Sequence, residues 1–274
     1  MLLFIGLLIG LILGLTGAGG SVFAVPLLLL LGGMSMAGAT GISLGAVAVT
    51  TIYASLRNTF SRNTPSVLWK PGLILAFSGA LTAPAGQWLG MHISELWLVS
   101  GFCLLAAIIA LRMWVSAQKN PASAIVVRAG NFADTPSPDH LCNLNPTGQF
   151  ELRPRCVSGL LIGGLIVGVL SGLFGVGGGF LIVPLLLALS AVTMAQAVST
   201  SLLIIALISS SGFISHLLLS ETQHWQWLIL AAAGGVIGMI IGQAVSHKMA
   251  NVLLQKIFAV SLLIVATITL ARQL

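Results

Sequence analysis

The sequence predicts an all-α polytopic membrane protein built from two homologous halves. Three observations predict it. Of 274 residues, 57% are hydrophobic and only 6% charged, against roughly a quarter charged in a soluble globular domain. The apolar residues fall into windows of about 20, the length that crosses a bilayer as a helix. A glycine-rich element occurs twice, as Gly14-Leu-Thr-Gly-Ala-Gly-Gly-Ser-Val-Phe-Ala-Val-Pro26 and as Gly172-Leu-Phe-Gly-Val-Gly-Gly-Gly-Phe-Leu-Ile-Val-Pro184. An offset of 158 residues superimposes Gly14, Gly17, Gly19, Gly20 and Pro26 on Gly172, Gly175, Gly177, Gly178 and Pro184 without a gap. This is the mark of a tandem duplication.

The first apolar run, residues 1–33, is too long for one straight span and is interrupted by the glycine element. It is either a re-entrant V of two short helices or an irregular crossing. Met1 to Leu13 contains no Lys or Arg, and the run has a counterpart in mid-chain, so it reads as retained structure rather than a signal peptide. Crossing windows follow at 37–56, 72–90 and 95–115. Residues 118–154 are polar and rich in Pro and Asn, which predicts a solvated linker. The second half repeats the order, with a broken run at 157–192 and windows at 195–219, 226–246 and 251–271. The predicted organisation is therefore a first membrane repeat over 1–117, a cytoplasmic linker over 118–154 and a second membrane repeat over 155–274. Identities beyond the glycines include Met36/Met194, Ser43/Ser201 and Trp69/Trp227, and Gly86-Gln87 matches Gly242-Gln243 after a two-residue shift.

The net charge of +6 comes from basic residues scattered at segment ends, as membrane orientation requires, and not from a nucleic-acid-binding patch. If each broken run returns to its starting side, Arg57, Arg62, Lys70, Arg112, Lys119, Arg128, Arg153, Arg155, Lys248 and Lys256 share one side, expected to be cytoplasmic, and only Arg272 is opposite. Three crossings per half would then make the halves inverted repeats with both termini outside, a transporter arrangement. Trp69, Trp88, Trp97, Trp114, Trp225 and Trp227 lie near segment ends as interfacial anchors do. Cys103, Cys142 and Cys156 give neither a disulfide framework nor metal-ligand spacing, so no metal and no cofactor are expected.

Glu95, Asp134, Asp139, Glu151 and Glu221 all lie outside the apolar segments or at their edges. Cation carriers and proton relays usually need a carboxylate at membrane depth, so the expected ligand is a small anion. Helix breaks offer the matching chemistry, because N–H groups at a half-helix start bind oxyanions without a charged side chain. Gly17, Gly19, Gly20 and Ser21, with Gly175, Gly177, Gly178 and Gly179, are the candidate backbone ligands, and Pro26 and Pro184 shape the breaks. Packing through small-xxx-small contacts is the competing reading of these glycines. Ser43 and Ser201 donate either to the anion or to a backbone carbonyl. His216, aligned with Asn58, is either an anion ligand or a packed, hydrogen-bonded histidine. Gln87 and Gln243 read as interhelical hydrogen-bond partners. An enzyme is not expected: Gly-Ala-Gly-Gly-Ser is neither a nucleophile elbow nor a phosphate loop.

The duplicated Gly-x-x-Gly-x-Gly-Gly-(Gly/Ser)-x-x-x-x-Pro element, Ser43 and Ser201 on the next helices, His216 upstream of Trp225 and Trp227, and the later Gly-Gln pairs resemble the TauE/SafE family of sulfite and organosulfonate exporters. The resemblance spans both halves. It implies a multi-pass inner-membrane permease for sulfur-containing oxyanions, whose partners are the anion and the lipid bilayer; thiosulfate, a carboxylate and uptake stand as alternatives, and homo-oligomerisation is left open. Asn58 where the second half has His216, and the long linker, depart from a symmetric pattern.

Overall fold

The computed structural model describes residues 1–17, 19–60, 67–119, 142, 154–190, 192, 194–219, 225–246, 260–269 and 271. The helices are α1 (Leu2–Thr16), α2 (Ala24–Gly32), α3 (Met36–Phe60), α4 (Trp69–His92), α5 (Glu95–Lys119), α6 (Pro154–Phe174), α7 (Gly179–Leu189), α8 (Met194–Leu219) and α9 (Trp225–Ser246), with a further apolar helix α10 at Val260–Thr269. A 3-10 turn, Gly19–Phe23, stands between α1 and α2. Four of these, over Met36–Phe60, Pro154–Phe174, Gln196–Leu219 and Trp225–Val245, are long and apolar enough to cross a membrane. The protein is thus a helical, multi-pass membrane protein. Helix α4 has the length but carries Gly, Pro, Ser and Thr throughout, which dilutes its hydropathy.

Glycine decides which helices touch. A methyl built on Gly6, Gly10 or Gly14 would strike the backbone at Ala231, Gly235 or Met239, at 2.2, 1.9 and 2.6 Å. Helices α1 and α9 therefore run alongside each other in the same direction, backbone against backbone. The same holds for α6 and α4, where Gly164, Gly168 and Gly172 meet Leu75, Gly79 and Ala83. In a bilayer, lipid tails are as apolar as leucine, so close backbone approach through small residues is what drives such pairs together.

The remaining contacts fix the other directions. Helix α8 runs parallel to α4, with Thr200 at Gly72 and Ile208 at Gly79, and antiparallel to α3, with His216 at Gly41 and Phe213 at Gly45. Helix α3 runs parallel to α9, with Leu228 at Gly45 and Thr50 at Gly235. Taken around this circuit, α6 runs opposite to α1. Both broken runs double back: Gly20 lies on Ile12 and Leu13 of α1, while Leu185 and Leu189 of α7 return to Gly163 and Gly159 of α6. Of the two readings left open by the sequence, the hairpin is the one the chain adopts.

One expectation needs correction. The sequence gives no sign of a disulfide, yet Cys142 and Cys156 are bonded, with Cα atoms 5.1 Å apart. The Cys142 N–H also donates to the Leu189 carbonyl at 3.0 Å. Cys142 is thereby held at the open ends of the α6–α7 hairpin, a proximity created by the fold and absent from the spacing. Apart from residues 118, 119, 142 and 154, the predicted linker lies outside the described residues, as do Arg62, Arg128, Arg153, Lys248, Lys256 and Arg272.

Candidate functional site

The second glycine element is a turn that only glycine accommodates. Helix α6 ends at Phe174, and the Gly175 N–H donates to the Ser171 carbonyl at 2.9 Å. Gly175, Gly177 and Gly178 have φ of +68°, +70° and +69°, a region that costs other residues about 1–2 kcal/mol. Packing closes the remaining space. A methyl on Gly175 would lie 2.4 Å from Thr40 Cγ2, one on Gly177 2.6 Å from Ser209 Oγ, and one on Gly178 2.6 Å from Val167 Cγ1. Helix α7 then starts at Gly179, and the Leu181 and Ile182 N–H groups both donate to the Gly178 carbonyl. Pro184 falls inside α7.

The first element has the same reversal but different detail. Gly17, at φ +79°, closes α1 by donating to the Leu13 carbonyl at 2.7 Å, and its built methyl would strike Val198 of α8. Gly19, Gly20 and Ser21 do not begin an α-helix; they form the 3-10 turn, and α2 starts three residues beyond Ser21, with Pro26 buried in its first turn. The Ser21 hydroxyl is fully buried with no hydrogen-bond partner. The 3-10 turn packs directly on α7, so the two glycine elements are neighbours. Gly177 packs on Val47 of α3 and Ile205 of α8. Those two residues are 158 positions apart, the repeat offset.

Ser43 and Ser201, equivalent in sequence, behave differently. Ser43 Oγ donates across the two halves to the Gly175 carbonyl at 2.7 Å, whereas Ser201 Oγ donates within its own helix to Val198 at 2.8 Å. His216 lies beside this junction: its Nδ1 is 2.9 Å from Gln87 Nε2, and its Nε2 fills the space above Gly41. Asn58 is not part of that group. It occupies the last turn of α3, about 22 Å along the axis from Ser43 at 1.5 Å per residue, on the stretch where Arg57 donates to Gln243 Oε1 at 3.1 Å. Both glutamines are therefore interhelical partners.

A cavity of about 170 Å³ leads from the surface toward the second glycine turn. Exposed Met91 and Glu95 stand among its walls, with Thr40, Gln87 and Leu173 deeper in. Thr40 is shared, since it also packs on Gly175. Glu95 Oε1 accepts the Met36 N–H at 2.8 Å and so caps α3 from a distance in sequence. Two polar residues near the turn, Ser171 and Ser209, escape a reading of the sequence. Ser171 and Ser209 hydroxyls are buried without partners, as is Gln87 Oε1. The serines carry no repeat signal: their equivalents at the 158-residue offset are Leu13 and Thr51.

Comparison with known proteins now decides the family. The family described as "Sulfite exporter TauE/SafE" matches residues 2–269, nearly the whole chain. The chain belongs to the TauE/SafE family. It is similar to a "Probable membrane transporter protein" of Xylella fastidiosa strain Temecula1, at 30% identity over 97% of this chain and 93% of that one. A protein of the same name from Xylella fastidiosa strain 9a5c is 29% identical over the same shares, and "Probable membrane transporter protein YunE" of Bacillus subtilis strain 168 is 25% identical over 97% and 94%. No solved structure matches the chain. As a TauE/SafE protein with several membrane-length helices, the chain is a multi-pass membrane transporter and not an enzyme.

Proposed function

We propose that this TauE/SafE transporter carries a sulfur-containing oxyanion, sulfite or an organosulfonate, out of the cell across the inner membrane, and that the anion binds between the glycine-rich breaks of two inverted repeats spanning 1–117 and 155–274. The observation that carries the reading is the contact between the two broken runs, where the 3-10 turn of Gly19–Phe23 packs on α7. The opposed directions of α1 and α6 support the inverted arrangement, which is common among transporters with midplane sites between broken helices. In this reading Gly17, Gly19, Gly20, Ser21, Gly175, Gly177, Gly178 and Gly179 line the site, with Ser43, Ser201 and His216 around it; Asn58 stands apart and serves α3's far end.

The charges favour an anion. Glu95 is the acidic residue within the described helices, and it is committed to the start of α3. Helix starts carry partial positive charge, so the breaks attract anions. The ends of α3 and α5 and the starts of α4 and α6 lie on one side, carrying Arg57, Lys70, Arg112, Lys119 and Arg155, which the positive-inside rule assigns to the cytoplasm. A membrane potential negative inside drives anion exit by about 2.3 kcal/mol per charge per 100 mV, so export proceeds without a coupling ion. The test is efflux of labelled sulfite from proteoliposomes at an imposed potential. Efflux above that of protein-free vesicles is expected; equality refutes sulfite as the substrate, and the same vesicles loaded with thiosulfate, sulfoacetate or acetate test the remaining anions.

A further inference from the structure

We propose that the hydroxyls of Ser171 and Ser209 are direct donor ligands for the transported oxyanion, so that the anion is held on the second glycine turn and not shared equally between the halves. The proposal rests on the transport reading above and adds the residues that grip the anion.

The two serines reach adjacent glycines of the turn from different helices. Ser171 stands in the last turn of α6, and its carbonyl accepts the Gly175 N–H. Its Cβ lies 3.5 Å from where a side chain on Gly178 would begin. Ser209 comes from α8, with its Oγ 2.6 Å from the equivalent point on Gly177. The pair thus borders Gly177 and Gly178, immediately before the first turn of α7; there the Leu181 and Ile182 N–H groups donate to the Gly178 carbonyl, and those of Gly179 and Phe180 have no acceptor within the helix. Both serines are buried, at 1% and 0% exposure, and neither hydroxyl has a hydrogen-bond partner. That combination is unusual, because buried polar groups are nearly always paired. Serines elsewhere in the same helices satisfy themselves locally: Ser201 and Ser210 donate to carbonyls of α8 three and four residues back. Ser171 and Ser209 do not.

The first N–H groups of α7 can only donate, the two hydroxyls can donate as well as accept, and the helix dipole adds partial positive charge. A ligand with several acceptors and negative charge fits that field, which repels a cation. The first half cannot offer the same grip. Leu13 stands at the position equivalent to Ser171, and Thr51, equivalent to Ser209, donates its hydroxyl to the Val47 carbonyl at 2.7 Å. The first half contributes instead the unpaired Ser21 hydroxyl, from the turn packed on α7.

The experiment uses the full-length protein in nanodiscs, with labelled sulfite as the probe for affinity and proteoliposomes for flux. Ser171→Ala and Ser209→Ala are each expected to weaken sulfite affinity about tenfold or more, as for loss of a hydrogen bond to a charged group, with Thr51→Ala at the wild-type value. Without sulfite, the melting temperatures of both serine variants should equal or exceed that of wild type, because a methyl replaces an unpaired buried hydroxyl. Wild-type affinity in the Ser171→Ala/Ser209→Ala double variant overturns the proposal while leaving the transport reading standing. So does an affinity loss that is matched by a lowered melting temperature, since the hydroxyls would then be structural. Absence of sulfite binding and flux in the wild-type protein overturns both.

Discussion

Ser43→Ala and Ser201→Ala form a pair of substitutions that sequence treats as equivalent and the structure does not. Both serines are fully buried and occupy the same repeat position. Ser43 donates to the Gly175 carbonyl on the other half at 2.7 Å. Removing it costs the net bond and strands a carbonyl at a turn already crowded by Thr40, a loss of about 1–3 kcal/mol by soluble-protein measurements. Interhelical bonds in membranes average nearer ~0.6 kcal/mol, so about 1–2 kcal/mol is the working figure. Ser201 donates to Val198 of its own helix at 2.8 Å; alanine removes that bond but is the better helix former, so the change should stay below about 0.5 kcal/mol. With a melting shift of about 2–4 °C per kcal/mol for a chain of this order, Ser43→Ala should melt about 2–8 °C below wild type and Ser201→Ala within ~2 °C. Tryptophan fluorescence during heating in detergent reads both. Equal shifts, or a larger one at Ser201, would refute the claim that this bond ties the halves together.

Gly10→Leu should abolish accumulation of folded protein, because a first side-chain atom would lie 1.9 Å from the Gly235 carbonyl oxygen; membrane-fraction immunoblotting and size-exclusion chromatography check it, with Gly33→Ala, where nothing lies within 4 Å, as the milder comparison. Gln87→Ala, His216→Ala and the double variant should show a coupling of about 0.5–1.5 kcal/mol in a stability cycle, reflecting the 2.9 Å contact between their side chains; additive losses would contradict it. If the start of α6 faces the cytoplasm, the Cys142–Cys156 bridge meets a reducing thiol pool and should be open in growing cells, closing on diamide treatment. Mass-tagged maleimide after acid quenching counts the thiols, and a bridge that persists without oxidant would reverse the assigned orientation.

The fold class was legible because composition and window length are bilayer constraints, and a membrane helix cannot disguise its hydropathy. The duplicated break was legible because glycine and proline punctuate an otherwise apolar run. Position within the glycine element was not. Gly14 and Gly172 turn out to be packing glycines, pressed on α9 and α4, whereas Gly17, Gly175, Gly177 and Gly178 are turn glycines at positive φ. One motif therefore holds packing glycines and chain-reversing glycines side by side. The Cys142–Cys156 bond and the unpartnered hydroxyls of Ser171 and Ser209 were hidden for a different reason. They depend on how the segments from Cys142 to α8 pack, which spacing does not show, and the repeat equivalents of the two serines are Leu13 and Thr51.

The same packing glycines limit how the transporter can move. A rocking of one sequence half against the other, the simplest expectation for a duplicated chain, would pull α1 from α9 and α6 from α4. Those are the contacts in which backbone meets backbone, and interfaces packed this closely shift between discrete arrangements instead of sliding. A motion that preserves them carries α1 with α9 and α6 with α4, so each mobile unit draws on both halves of the sequence. Displacement then falls on the α3–α8 crossing and on the bond that ties α3 to the turn after α6, from Ser43 to the Gly175 carbonyl. That bond lies at the second glycine turn, so a shift between the paired units reshapes the proposed anion site directly, without a relay through the rest of the molecule.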